Sequence, residues 1–168
     1  MNLVRVLGIA AIAGGVLRIV DSFTTGVLSP QILFLLYFIT DVLLLLGIAG
    51  IYWSRRGRIG IAGIAGAAIF ALGIAWIRVA AFVMPGMNGY QLGAAMALLG
   101  LGVLSVEELL RGRDDNAAAI FWLAALFFAV VGALGLMVLL MTIAAGVAFG
   151  AGFVMAGRQV LATPRAAQ

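Results

Sequence analysis

The sequence predicts an all-α polytopic membrane protein: six transmembrane helices in three short hairpins, forming one bundle over residues 1–168. Three observations carry that prediction. Hydrophobic residues make up 65% of the chain and charged residues 10%, with a mean hydropathy of +1.26, whereas soluble domains run at about 45–50% apolar and about 25% charged. A chain of 168 residues has no way to hide that much apolar surface from water. Apolar stretches of the roughly 20 residues needed to cross hydrocarbon recur along it. Finally, Arg5, the Arg55/Arg56/Arg58 group, Arg111/Arg113 and Arg158/Arg165 all fall on one side of a six-span arrangement. By the positive-inside rule, both termini are then cytoplasmic. A five-span arrangement would put Arg158 and Arg165 outside.

The first span is expected over about 3–24. Arg5 followed by an apolar run resembles a signal peptide, but Arg18 and Asp21 interrupt the run and Ser22-Phe23-Thr24-Thr25 is a poor cleavage site, so the segment reads as a retained span. Ser29-Pro30 reads as an N-cap followed by proline at the first helical position and opens a second span, about 31–53. The polar turn Ser54-Arg55-Arg56-Gly57-Arg58 leads to a third span, about 59–84, that stops at Pro85-Gly86. The uncharged loop Pro85 to Gly89 precedes a fourth span, about 90–110, closed by Arg111-Gly112-Arg113-Asp114-Asp115-Asn116. From Ala117 to Gly157 the chain is apolar, too long for one span and right for two. These are placed at about 117–134 and 136–157, with the turn near Gly132 to Gly135. Tyr52, Trp53 and Trp122 are expected at the inner interface, and Trp76 and Tyr90 toward the outer one, where amphipathic aromatics settle.

The three hairpins each end on an arginine-containing stretch, and Leu17-Arg18-Ile19-Val20 resembles Ile77-Arg78-Val79-Ala80. An internal repeat is one reading of this; the ordinary pattern of any hairpin array is the other. The 23 glycines lie inside helices as well as in turns. Gly60, Gly63 and Gly66 form a stripe, Gly146 and Gly150 form a GxxxG, and Gly93 pairs with Ala97. Such small residues let helix backbones approach in lipid, either within one chain or as a dimerisation face on the last helix.

Four charges stand inside otherwise apolar spans: Arg18, Asp21, Asp41 and Arg78. Ionisable groups in a membrane are costly and face a partner or a water-filled cavity. From the helical rise, Arg18 and Arg78 lie roughly 9 Å from the outer end, Asp21 roughly 5 Å and Asp41 roughly 15 Å. Arg18 and Asp21 are spaced to pair along one helix, whereas Asp41 either meets Arg78 or Arg18 from a neighbour or stays protonated, since desolvation disfavours the charged carboxylate. Three readings follow. In the first, ion pairs lock the first three spans together; in the second, the four line an outward-facing pocket for a small polar or zwitterionic ligand, a lipid headgroup or a proton-coupled solute; in the third, the arginines reach up to the headgroups and Asp41 is neutral. Thr24, Thr25, Gln31, Asn88 and Gln91 would suit a pocket rim, with Tyr37 and Thr40 near Asp41. Glu107, Glu108, Arg111, Asp114 and Asp115 read as a solvated cap on the fourth helix. Met137, Met141 and Met155 read as lipid-facing or packing residues, and Phe127, Phe128, Phe149 and Phe153 as lipid-facing.

The absence of Cys and His removes disulfides, thiolate nucleophiles and the usual zinc and haem ligands. No serine stands beside a plausible base, so no enzymatic activity is expected, nor any metal or cofactor. The net charge of +4 is dispersed over short loops and does not make a nucleic-acid surface. Gly100-Leu101-Gly102 lies in a membrane helix and not after a strand, which rules out a dinucleotide motif. Two functions are expected from these residues. In the first, Arg18, Asp21, Asp41 and Arg78 bind or transport a small polar or zwitterionic solute, or a lipid headgroup. In the second, the chain is a non-catalytic accessory or scaffold subunit of a larger membrane complex, or a homo-oligomer, with the charges purely structural. The expected setting is the bacterial inner membrane, with the lipid bilayer as the surrounding partner.

Overall fold

The computed structural model describes residues 3–24, 27–83, 89–112 and 115–162, with the backbone alone for 81–83. The expectations for Thr25, Met84 to Asn88, Arg113, Asp114 and Arg165 lie outside the described residues. Among those described there are six helices and no strand: α1 Leu3–Thr24, α2 Pro30–Ser54, α3 Ile61–Val83, α4 Gly89–Leu110, α5 Ala117–Ala133 and α6 Val138–Ala162. All but α5 are long and apolar enough to cross a membrane. The side chains on the bundle's outside agree. Exposed residues include Ile32, Leu35, Leu72, Leu99, Phe127 and Leu139, a surface that water would not tolerate and acyl chains match.

Pro30 opens α2 as expected, with Ser29 extended before it, although the Ser29 side chain makes no cap hydrogen bond. The last turn falls at Leu134–Met137, slightly later than the glycine pattern indicates, because Gly135 takes the left-handed conformation (φ 84°) that ends α5. Its backbone closes on itself through Leu134 N–H to Val130 O (3.1 Å) and Gly135 N–H to Gly132 O (3.0 Å). α6 runs on to Ala162, beyond the polar boundary at Arg158.

The helices form a ring in chain order that α6 closes by packing on α1. The closest pairings are α3 with α4 and α1 with α6; α2 and α3 touch least among the neighbours. Glycine explains the two close pairings. On α1 and α6, a Cβ at Gly15 would stand 2.5 Å from the Gly150 carbonyl oxygen, and one at Gly157 would stand 2.7 Å from that of Gly8. On α3 and α4, a Cβ at Gly100 would stand 2.5 Å from the Gly66 oxygen, and one at Gly73 would stand 2.6 Å from that of Gly93. In each pair the two contacts lie two helical turns apart, so the backbones run against each other over much of their length. The GxxxG at Gly146/Gly150 and the Gly93/Ala97 pair therefore serve packing within the chain.

The core is aromatic where three helices converge. Phe70, Trp122 and Phe153 are fully buried, with Phe70 and Phe153 ring centroids 5.5 Å apart and Trp122 edge-on to Phe153 at 5.3 Å. Trp122 is thus a core residue and not an interfacial anchor: its ring lies against Gly152, where no side chain intervenes. Phe149 and Phe153 likewise belong to the core, while Phe127 is 62% exposed.

Candidate functional site

The two ends of the bundle are chemically different. At the arginine-rich end, the α2–α3 turn meets the end of α4. Arg55 pairs with Glu108, which is buried, and donates to Gln159 Oε1 on α6 at 2.5 Å. Glu107 accepts from the Gly60 backbone N–H and pairs with Arg111 Nε at 2.8 Å. Arg111 also donates to the Arg58 carbonyl (2.9 Å), and Gln159 to the Asp115 carbonyl (3.1 Å). Glu107 and Arg111, four residues apart, are paired, and the cap is solvated only in part: Arg111 and Asp115 are exposed, but Glu108 is enclosed and Glu107 nearly so. Gly60 and Gly63 permit this, since a Cβ at either would collide with the Glu107 carboxylate. The network ties α2, α3, α4 and α6 together at that end.

The opposite end holds a cavity of about 1060 Å³ to which all six helices contribute. Its polar wall comprises Arg18 from α1, Tyr37 and Asp41 from α2, Arg78 from α3, and Tyr90 and Gln91 from α4. Its apolar wall is Ala and Leu from α4, Phe128, Ala129 and Gly132 from α5, and Phe149 from α6. Three of the four intramembrane charges thus line one space, and of the options open to Asp41 the structure takes the pairing with Arg78. Arg78 donates to Asp41 Oδ2 from Nε at 2.6 Å and also from a terminal nitrogen. The pair bridges the α2–α3 seam, where the helices otherwise touch little, and the Arg78 guanidinium also lies 5.9 Å from the Phe34 ring centroid.

Arg18 differs. Its guanidinium lies 5.8 Å from the Phe149 ring centroid and within hydrogen-bonding reach of the Tyr90 hydroxyl. Among the described residues no carboxylate stands within 4.0 Å of it. The pairing with Asp21 along α1 does not form. Asp21 turns instead toward α2, where it is 1% exposed beside the equally buried Thr40. Neither Asp21 oxygen meets a hydrogen bond of good geometry, and neither does the Thr40 hydroxyl. Asp21 lies outside the cavity lining. Arg18 accordingly presents a guanidinium to the cavity with an aromatic face and a phenol beside it but no contact counter-ion.

Sequence reasoning located the arginines and Asp41 but missed what the third hairpin supplies. Phe149, Gly146 and Thr142 of α6 and Phe128 of α5 complete the cavity, and nothing in their local pattern distinguishes them from packing residues. Tyr90 was assigned to the interface; it lines the cavity while remaining 58% exposed. Ser22 donates to the Arg18 carbonyl at 2.9 Å, and its side chain packs where a Cβ on Gly146 would sit, fixing α1 against α6 close to the site. No family model, curated protein or solved structure matches the chain.

Proposed function

We propose that this membrane protein binds, and moves or holds, a small molecule with a polar or zwitterionic group in the cavity at the end of the bundle away from its arginine-rich turns. Arg18 is the residue that grips it, and Asp41 with Arg78 is the second polar contact. The single observation that carries this reading is the position of Arg18: a guanidinium facing a cavity of about 1060 Å³ without a carboxylate partner at contact distance among the described residues. An ion-pair lock built on Arg18 would give it a carboxylate at contact distance, because an unpaired ion away from water is expensive. Ligand pockets typically enclose roughly 300–1,000 Å³, apolar with a few converging polar groups, and this one fits that description. Asp21, behind the wall, acts on the site through the helix it helps position and not by contact.

The proposed setting is the bacterial inner membrane, with six spans, α5 included, and both termini cytoplasmic. The cavity then opens toward the outside, and the Arg55–Glu108 and Glu107–Arg111 network closes the cytoplasmic end. The role is non-catalytic: Ser22, Ser54 and Ser105 each donate to a carbonyl of their own helix, which supports structural and not nucleophilic duty. A panel of carboxylates, phosphate esters and zwitterions, added to the protein purified in mild detergent, tests the reading by thermal unfolding. At least one compound should raise the midpoint saturably, and Arg18→Gln should weaken that effect tenfold or more. If no compound does so and the protein instead purifies with stoichiometric companions, the accessory-subunit reading takes its place.

A further inference from the structure

The cavity wall is thin at two seams of the ring: α2–α3, which the Arg78–Asp41 pair bridges, and α4–α5, where no ion pair does so among the described residues. At the cavity end, Ser22 packs against Gly146 between α1 and α6, Gly14 against Leu43 between α1 and α2, and Gly89 against Ala80 between α3 and α4. Gly132 meets Met141 between α5 and α6, and Arg78–Asp41 spans α2 and α3. Between α4 and α5 the glycine contact lies toward the other end, where a Cβ on Gly102 would stand 3.0 Å from Leu126. On the cavity side of that contact, Ala94, Ala95 and Leu98 of α4 and Ala129 and Ala133 of α5 all line the open space. Ala95 and Ala133 are exposed as well as lining it. A second apolar groove of about 390 Å³ continues along the same two helices toward the arginine-rich end.

The surroundings of this seam are hydrocarbon in character. Leu92 and Leu99 on α4 and Phe127 and Val130 on α5 are all more than half exposed. The adjoining turn Leu134–Met137 carries no polar side chain, and its leading N–H groups are satisfied internally, the condition a turn must meet to sit in lipid. α5 has 17 residues, about 25 Å of rise, short of the roughly 30 Å hydrocarbon thickness. A water-soluble ligand would leave the alanine and phenylalanine wall facing its own hydration water; an alkyl chain would cover that wall.

We propose that the ligand is an anionic amphiphile taken sideways from the bilayer through the α4–α5 seam, its headgroup on Arg18 and Tyr90 and its chain between Ala95 and Ala129. This rests on the reading of the cavity as a ligand site and adds the chemical class of the ligand and its route. The charge argument is the unpaired guanidinium; the chain argument is the apolar seam that joins it to lipid.

The full chain in phosphatidylcholine nanodiscs tests this, with dodecyl phosphate and glycerol phosphate as probes and the thermal midpoint read from tryptophan fluorescence. Dodecyl phosphate should raise the midpoint saturably, at a concentration at least tenfold below that needed for glycerol phosphate. Arg18→Gln should weaken the dodecyl phosphate effect at least tenfold and Arg18→Lys less. Ala95→Trp, which fills the seam without touching the charges, should weaken dodecyl phosphate more than glycerol phosphate and so close the gap between the two probes. Equal potency of the two probes, both dependent on Arg18, would overturn the seam and leave the cavity reading standing. A dodecyl phosphate effect that survives Arg18→Gln unchanged, or no effect of either probe, would overturn both.

Discussion

At the residue scale, the site turns on how two aspartates of one polarity class are treated differently by their neighbours. Asp41 has a partner and Asp21 has none, although Asp21 is the one with an arginine on its own helix one turn away. In double-mutant terms the Asp41–Arg78 pair is the measurable unit. Removing one member of a fully buried pair costs about 3–5 kcal/mol. Both side chains here keep some exposure, 15% and 21%, so Asp41→Asn should lower stability by a smaller amount, about 1–3 kcal/mol. Asp41→Leu with Arg78→Leu should recover most of that loss, since replacing both charges removes the penalty of the orphan. Chemical denaturation of the four proteins of the cycle measures this. Asp21 predicts the opposite sign. Its oxygens are buried and meet no hydrogen bond of good geometry, the Thr40 hydroxyl beside them included, so Asp21→Leu should raise stability by about 1–3 kcal/mol; a fall would reveal a partner that satisfies the carboxylate in the membrane. That these charges matter was legible from the sequence, because hydrocarbon makes every one of them conspicuous. Which arginine takes which aspartate was not, because pairing depends on helix rotation. The i, i+3 spacing of Arg18 and Asp21 permits contact only if both point the same way, and here Arg18 faces the cavity while Asp21 faces α2.

At the element scale, the helices follow from apolar length and arginine punctuation, and their ends fall close to where Pro30, Gly57 and Gly112 place them. Neighbour choice is harder to read. Hairpin order favours α1 with α2, yet α1 packs most closely on α6. The determinant is the matched glycines Gly8, Gly15, Gly150 and Gly157, whose pairing is visible only when two helices are set antiparallel in the correct register. The resemblance between Leu17–Val20 and Ile77–Ala80 does not extend to packing, since the Arg18 helix pairs outside its hairpin and the Arg78 helix within its own. Trp122 misled for the same reason: an aromatic near a helix end looks interfacial until a glycine opposite, here Gly152, lets it inward. The close pairings carry a contrast in one helix. Gly100→Leu drives a side chain into the α3 backbone and should cost about 1–3 kcal/mol, the usual scale of overpacking. Gly102→Ala meets only the flexible end of Leu126 at 3.0 Å and should change stability by no more than about 0.5 kcal/mol. Equal losses would mean that the α3–α4 glycine contacts do not set that interface.

At the scale of the whole molecule, the bundle is polar and tied shut at one end and hollow at the other. The ring of helices makes the hollow possible: two glycine-packed pairs hold the frame, and the α2–α3 and α4–α5 seams between them are thin, one bridged by an ion pair and one lined with alanine. Orientation has its own test, made clean by the absence of any native cysteine. In whole cells, Ser29→Cys, exposed before α2 at the cavity end, should react with a membrane-impermeant maleimide and Ser54→Cys should not; the reverse pattern would put the cavity toward the cytoplasm. The central claim is that Arg18 meets a ligand's negative group inside the cavity. An experimental structure of the full chain solved with dodecyl phosphate in the surrounding lipid tests it most directly. The account predicts headgroup density within about 2.7–3.2 Å of the Arg18 guanidinium, with the Asp41–Arg78 pair intact beside it. Arg18 bonded to Asp21 or Asp41, in a cavity closed by its own side chains and holding no headgroup, would contradict it.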